Sequence, residues 1–158
     1  MTLDLRASVL AGLLAALASL GAGMVALQLM HGNAVMLPRL IATIVFGADA
    51  FDASKVSDAI AFAVGTAVHV VLGLAFALLI STALHRFGFW IGFFGGALFG
   101  LALYAINTYT MSRFFPDFFY FRSWFMVGFH LMFGALCGGI YELLERDRKS
   151  IFRGRVKR

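Results

Sequence analysis

Cysteine, proline and charged residues are all scarce in this chain of 158 residues. The single cysteine, Cys137, excludes an intrachain disulfide and a metal centre built from several thiolates. The sequence also lacks the nucleophile elbow of hydrolases, the HExxH zinc motif and the phosphate-binding loop. We therefore predict that the chain has no enzymatic activity of its own.

Only 13% of the residues are charged, whereas 61% are hydrophobic, and a soluble domain of this size has no means of burying so much apolar surface. A helix needs about 20 apolar residues to cross a bilayer core of about 30 Å. Four stretches have that length: Ala7–Met30, Ala59–Leu84, Phe87–Met111 and Trp124–Leu144. The sequence predicts an all-α membrane protein, a four-transmembrane-helix bundle over residues 1–145 with a basic tail at 146–158.

Basic residues are distributed unequally between the two ends of such a bundle. If both termini and the turn after Leu84 share one side, that side holds nine of the 13 Lys and Arg residues. Lys and Arg in short loops are retained on the cytoplasmic side, so both termini are predicted to be cytoplasmic. The lipid bilayer is the first predicted partner. Nucleic acid is not expected, because no stacking aromatics or binding fold accompany the charges.

The longer outer connection, residues 31–58, contains an apolar stripe at helical spacing. Leu37, Leu40, Ile41, Ile44 and Val45 fall on one face of a helix that we expect to begin at Pro38 and end at Gly47. A short amphipathic helix of this kind is predicted to lie on the outer interface or to dip into it. The aromatic segment 114–121 is typical of an interfacial belt.

Small residues recur at helical spacing in every predicted span. Membrane helices associate by close van der Waals contact at such positions, so the glycines of spans two to four are predicted packing residues. They are Gly65, Gly73, Gly92, Gly96, Gly100, Gly134 and Gly138. This density of packing positions favours association with another membrane protein or with a second copy of the chain.

Two histidines, His69 and His130, lie inside predicted spans on these small-residue faces. A titratable side chain inside hydrocarbon is costly and usually faces the bundle interior. Both are therefore predicted to face neighbouring helices, and they are the leading candidates for a functional site.

Three interpretations of the histidine pair remain open at this stage. Both imidazoles would ligate the iron of a b-type haem in an electron-transfer subunit. Alternatively they belong to a path for protons or a small solute that also uses Tyr104, Asn107 and Glu142. In the third and favoured interpretation, each histidine is neutral and forms hydrogen bonds across helices to Tyr104, Asn107 or a backbone carbonyl.

Two weaker candidates lie near the outer ends of the spans. His31 with Asp49 or Asp52 has the residue types of a metal or acid–base site, but the spacing is not diagnostic. The polar run from Asn107 to Thr110 is suited either to lining a cavity or to an ordinary membrane interface.

The chain also shows a weak internal repeat, because spans one and two resemble spans three and four, with the histidines in matching helices. Two helices per repeat would relate the halves by an axis along the membrane normal.

The segment from Ala61 to Lys149 contains a series of motif residues. The series begins with His69 and ends with the acidic and basic residues at the end of the last span. Its members are His69, Phe76, Ala77, Trp90, Gly92, Gly96, Ala97, Leu98, Pro116, Gly128, His130, Glu142, Arg146, Asp147 and Arg148. In these features the segment resembles the YagU-like family of small bacterial inner-membrane proteins of unknown function. The resemblance implies a multi-pass protein of the bacterial cytoplasmic membrane and no catalytic residue. We expect an accessory or interaction subunit.

Overall fold

A computed structural model describes the backbone of residues 3–155, and the side chains of these residues except 120–121 and 146–155. Five α-helices account for most of it. They are α1 (Leu5–His31), α2 (Met36–Phe46), α3 (Asp58–Leu84), α4 (Phe89–Ala105) and α5 (Trp124–Arg155). The other helical segments are short: 3₁₀ turns at Gly47–Phe51, Met111–Arg113 and Pro116–Phe121, and a π-helix at Ile106–Thr110.

The predicted all-α fold and its four membrane-spanning helices are confirmed. Helices α1 and α3, the segment from Phe89 to Arg113, and the first part of α5 are each long and apolar enough to cross a bilayer. The chain is therefore a multi-pass membrane protein. Both described termini lie at one end of the bundle, and α2 lies at the other, which we call the α2 end.

Local chemistry sets the ends of these helices. The Asp4 carboxylate accepts the backbone N–H groups of Arg6 and Ala7 and so caps α1. Gly88 has φ of +87°, which glycine adopts without strain, so α4 begins at Phe89 and not at the predicted Phe87.

Helix α5 continues past the predicted end of its span at Leu144 and reaches Arg155. Glu, Arg and Lys favour helix and fill most of this extension. The predicted basic tail, residues 146–158, is thus helical as far as Arg155. Its side chains and residues 156–158 lie outside the described part.

The closest packing is between α4 and α5, where glycine faces glycine. A methyl group added to Gly96 would overlap with the carbonyl oxygen of Gly134, and one added to Gly138 would overlap with that of Gly92. Helix α5 also packs on α1, α1 on α3, and α3 on α2. The two halves of the predicted repeat are α1 with α3 and α4 with α5. They are packed unequally, because in the described structure this close glycine-to-glycine backbone contact joins α4 and α5 but not α1 and α3.

Helix α2 packs between α1 and α3 instead of lying on the surface. All seven residues from Leu37 to Thr43 are buried, and a methyl group at Gly65 of α3 would overlap with the carbonyl oxygen of Pro38. The helix ends before Gly47 as predicted but begins at Met36, two residues before the predicted start. Close approach at glycine explains how a short amphipathic helix becomes part of the core.

Arg39 fixes α2 to the beginning of α3. Its Nε and Nη2 atoms lie 3.0 and 2.7 Å from Oδ1 of Asp58, and its Nη1 donates to the carbonyl oxygen of Ala50. The Arg39 side chain is only 9% exposed, whereas that of Asp58 is 74% exposed. Three charge-assisted contacts thus compensate for burying the guanidinium group.

Two buried glutamates hold the opposite end of the bundle together. Glu142 of α5 accepts a hydrogen bond from the backbone N–H of Gly88 at the start of α4 (3.1 Å). Oε1 of Glu145 lies 3.2 Å from Nδ1 of His85, at the end of α3. These contacts fix the turn between α3 and α4 to the last helix.

Candidate functional site

A cavity of about 140 Å³ separates α3 from α4 toward the α2 end. The two helices approach each other near their connecting turn, where Leu84 is adjacent to Gly95, and the cavity lies farther along both. Helices α1, α2 and α5 supply most of the remaining walls, together with residues of the segment between α4 and α5 such as Met111 and Phe118.

The cavity is partly open, and the position of Leu72 indicates which way it faces. Leu72 lines the cavity and is 37% exposed. It lies near the middle of the 27-residue helix α3, at a depth where the surroundings of a spanning helix are hydrocarbon. The opening therefore faces the lipid.

The walls are mainly aliphatic and aromatic, with a small polar group of five residues. The polar residues are Ser19, His69, Asn107, Thr108 and His130. A mostly apolar pocket with a few converging polar groups is the usual form of a small-molecule site. Both histidines thus face neighbouring helices and line one common cavity.

His69 forms hydrogen bonds to α1 through one ring nitrogen. Its Nε2 lies 3.1 Å from the carbonyl oxygen of Ala16 and 3.4 Å from Oγ of Ser19. The Ser19 hydroxyl also donates to the Ala16 carbonyl, at 3.1 Å. A carbonyl oxygen only accepts, so Nε2 of His69 carries the proton.

His130 forms hydrogen bonds through both ring nitrogens. Nδ1 lies 2.8 Å from the carbonyl oxygen of Met126 on the same helix, and Nε2 lies 3.1 Å from Nδ2 of Asn107 on the neighbouring segment. Nδ1 therefore carries the proton, and Nε2 accepts from the Asn107 amide. The Tyr104 ring packs edge-on against the imidazole, with centroids 5.6 Å apart.

Asn107 and Thr108 belong to the π-helix at Ile106–Thr110. Single π-helical turns often occur at functional sites. Of the polar run from Asn107 to Thr110, these two residues line the cavity, while Tyr109 and Thr110 are exposed. The apolar periodicity of the span gives no signal for this local widening of the helix.

Close packing at glycine residues determines where His130 lies. A methyl group at Gly100 of α4 would overlap with the carbonyl oxygen of His130. The close contact of α4 with α5 therefore fixes His130 and Asn107 relative to each other. On α3, Gly73 contacts Ala16 and holds His69 close to α1 in the same way.

The haem interpretation does not fit this geometry. A cavity of about 150 Å³ accommodates a benzene ring, so the 140 Å³ available here is far too small for a porphyrin. The Nε2 atoms of both histidines are also engaged by protein groups. Ligation of iron through these Nε2 atoms would require both hydrogen bonds to break, and a porphyrin would require the helices to separate.

We expect the purified protein to show no visible absorption band, either oxidised or reduced with dithionite, because the histidines have no room for haem. Absorption spectra of the wild type in mild detergent, next to the His69→Ala and His130→Ala variants, measure this. A sharp reduced band that both substitutions remove would contradict the expectation and restore the electron-transfer interpretation.

Of the residues in the proton-path interpretation, the structure brings Tyr104, Asn107 and His130 together but leaves Glu142 apart from them. Tyr104 and Asn107 contact His130, as that interpretation requires. Glu142, however, lies twelve residues beyond His130 on α5, or about 18 Å at about 1.5 Å per residue, where it accepts the Gly88 N–H.

The predicted pairing of His31 with Asp49 or Asp52 is not formed. Asp49 pairs with Lys55 (2.6 Å), and the Ser54 hydroxyl and N–H hold the pKa of Asp52 below its ordinary value. Among the side chains that the structure describes, no cluster of three or more from His, Cys, Asp or Glu is placed to hold a metal ion.

No protein-family model, curated protein or solved structure matches the chain. Membership of the YagU-like family therefore stays a prediction.

Proposed function

We propose that this chain is a non-enzymatic accessory protein that holds a small, mostly apolar molecule inside the membrane. The lipid-facing cavity between α3 and α4 is the observation that carries the proposal. Its apolar walls suit a molecule dissolved in the bilayer, and its polar residues suit one hydrogen-bonding group on that molecule. The molecule enters sideways from the hydrocarbon and leaves by the same route.

We further propose the bacterial cytoplasmic membrane as its location, with both termini cytoplasmic. The distribution of nine Lys and Arg residues at the end with the termini against four at the α2 end supports this orientation. In that orientation the cavity opens toward the outer leaflet. Another membrane protein or a second copy of the chain would be the recipient of the held molecule.

The cavity is the feature that distinguishes the proposed function from simple packing of a helix bundle. The close contacts at glycine do not, because they are expected in either case. Where helices serve only to pack against each other, their interfaces are filled to high density. Here α3 and α4 instead lie apart, on either side of a space that five polar residues line. Separate helices position these residues: α1 carries Ser19, α3 carries His69 and α5 carries His130.

The proposal is tested by filling the cavity from one wall. Leu103 is buried and lines the cavity, so Leu103→Trp places an indole ring in the space. Leu101 lies on the same helix, is 42% exposed and does not line the cavity. Leu101→Trp is therefore a matched control with the same change in side chain.

The wild type and the Leu101→Trp and Leu103→Trp variants are extracted with a polymer that retains native lipids. The small molecules that accompany each protein are identified by mass spectrometry. We expect one species to be enriched with the wild type and with Leu101→Trp, and lost with Leu103→Trp. The proposal is wrong if the three proteins, folded equally well by thermal melting, release the same molecules in the same amounts.

A further inference from the structure

The hydrogen bonds of the two histidines leave two acceptor atoms in the cavity without a donor from the described part of the chain, Nδ1 of His69 and Oδ1 of Asn107. Because Nε2 of His69 donates to Ala16, the Nδ1 atom of a neutral His69 is an acceptor, and among the described residues it has no partner. Both nitrogens of His130 are engaged. Asn107 donates one of its two Nδ2 hydrogens to His130, which leaves its second N–H as a donor and its Oδ1 atom as a second acceptor.

Thr108 supplies the one hydroxyl of the cavity that is not engaged with another described residue. Its side chain is buried and lines the cavity. A hydroxyl both donates and accepts, whereas the Ser19 hydroxyl already donates to Ala16. A molecule that brings its own O–H groups satisfies His69 Nδ1 and Asn107 Oδ1, and one that only accepts leaves both unpaired.

The size and the walls of the cavity specify the rest of the ligand. A space of about 140 Å³ matches a single six-membered ring, since a cavity of about 150 Å³ accommodates benzene. Phe129 and Phe133 of α5 face this space together with Leu103 of α4. Aromatic side chains favour edge-to-face or offset contact with another ring.

We propose that the cavity binds a phenol or hydroquinone ring whose hydroxyl group donates a hydrogen bond to Nδ1 of His69. This inference rests on the proposed function and names the chemical class of its ligand. The ring packs among Leu103, Phe129 and Phe133. Any alkyl chain on the ring leaves through the lipid-facing opening beside Leu72. A hydroquinone offers its second hydroxyl to the Asn107 and Thr108 side.

Three fluorinated probes of similar size differ in the hydrogen bonds that they can form. The hydroxyl of 4-fluorophenol donates a hydrogen bond, the ether oxygen of 4-fluoroanisole only accepts one, and the methyl group of 4-fluorotoluene does neither. Each is titrated into the wild-type protein in lipid nanodiscs and followed by ¹⁹F NMR. Empty nanodiscs give the partition of each probe into lipid, and affinities are expressed relative to its concentration in the lipid.

We expect the phenol to bind about three- to tenfold more tightly than the toluene, the effect of one net hydrogen bond. The anisole should bind less tightly than the phenol, because its ether oxygen has no hydrogen to donate to Nδ1 of His69. His69→Leu is similar in size but has no hydrogen-bonding atom in its side chain, so the preference for phenol should fall to less than about twofold. Leu103→Trp should abolish binding of all three probes.

The result that overturns the ligand class is equal binding of the three probes to the wild type, or a preference for phenol that survives in His69→Leu. The result that overturns the proposed function is different: none of the probes shows saturable binding beyond that of empty nanodiscs. A phenol with a twelve-carbon chain identifies the source. Its binding supports a membrane-dissolved quinol, and binding of the short phenol alone supports a soluble phenolic compound.

Discussion

Gly96→Leu should separate α4 from α5 and prevent the chain from folding to a stable bundle. Even a methyl group at this position would overlap with the carbonyl oxygen of Gly134, which belongs to the backbone and has no rotamer to change. Overpacking typically costs about 1–3 kcal/mol, and we expect a loss at or above the upper end of this range. Thermal melting in mild detergent, read by circular dichroism and by the monodisperse fraction, measures it.

Gly128→Leu is the matched control for this prediction. Gly128 lies on α5, the helix that Gly96 contacts, but nothing lies within 4 Å of a methyl group there. A leucine at this exposed position faces lipid and should leave the melting temperature almost unchanged. Equal stability of Gly96→Leu and Gly128→Leu would contradict the packing that positions His130.

Asp58→Ala should destabilise the protein by about 1–3 kcal/mol, because it leaves the buried Arg39 guanidinium with only the Ala50 carbonyl as partner. Arg39→Met should cost less, since the Asp58 carboxylate is 74% exposed and remains hydrated. Adding Arg39→Met to Asp58→Ala should therefore recover part of the lost stability.

The control for this pair is Asp49→Ala, which breaks the exposed contact with Lys55. Exposed ion pairs contribute about 0–1 kcal/mol, so its melting temperature should stay close to that of the wild type. A double variant no more stable than Asp58→Ala would show that the buried charge is not the source of the loss. Because α2 lines the cavity, Asp58→Ala should also weaken ligand retention.

The sequence predicts the spanning helices because hydrocarbon thickness imposes one length on all of them. The seam between α4 and α5 is also predictable from Gly92, Gly96, Gly134 and Gly138, because only small residues permit close approach in lipid. These regularities repeat along the chain, so they are visible without knowledge of tertiary contacts.

Burial of α2 was not predictable from its own residues. The charge of Arg39 is typical of an exposed loop, and its partner Asp58 lies 19 positions away. Nor does anything near His69 in the sequence indicate that its partner is the carbonyl oxygen of Ala16. Contacts between distant residues, including those that create the cavity, depend on how the helices pack and not on any local pattern.

The most direct test of the central claim is the stoichiometry of the small molecule released on denaturing equal amounts of polymer-extracted wild type, Leu103→Trp and Leu101→Trp. We expect close to one molecule per chain for the wild type and for Leu101→Trp, and almost none for Leu103→Trp. A folded Leu103→Trp protein that releases as much as the wild type would contradict the claim that the cavity between α3 and α4 holds the ligand.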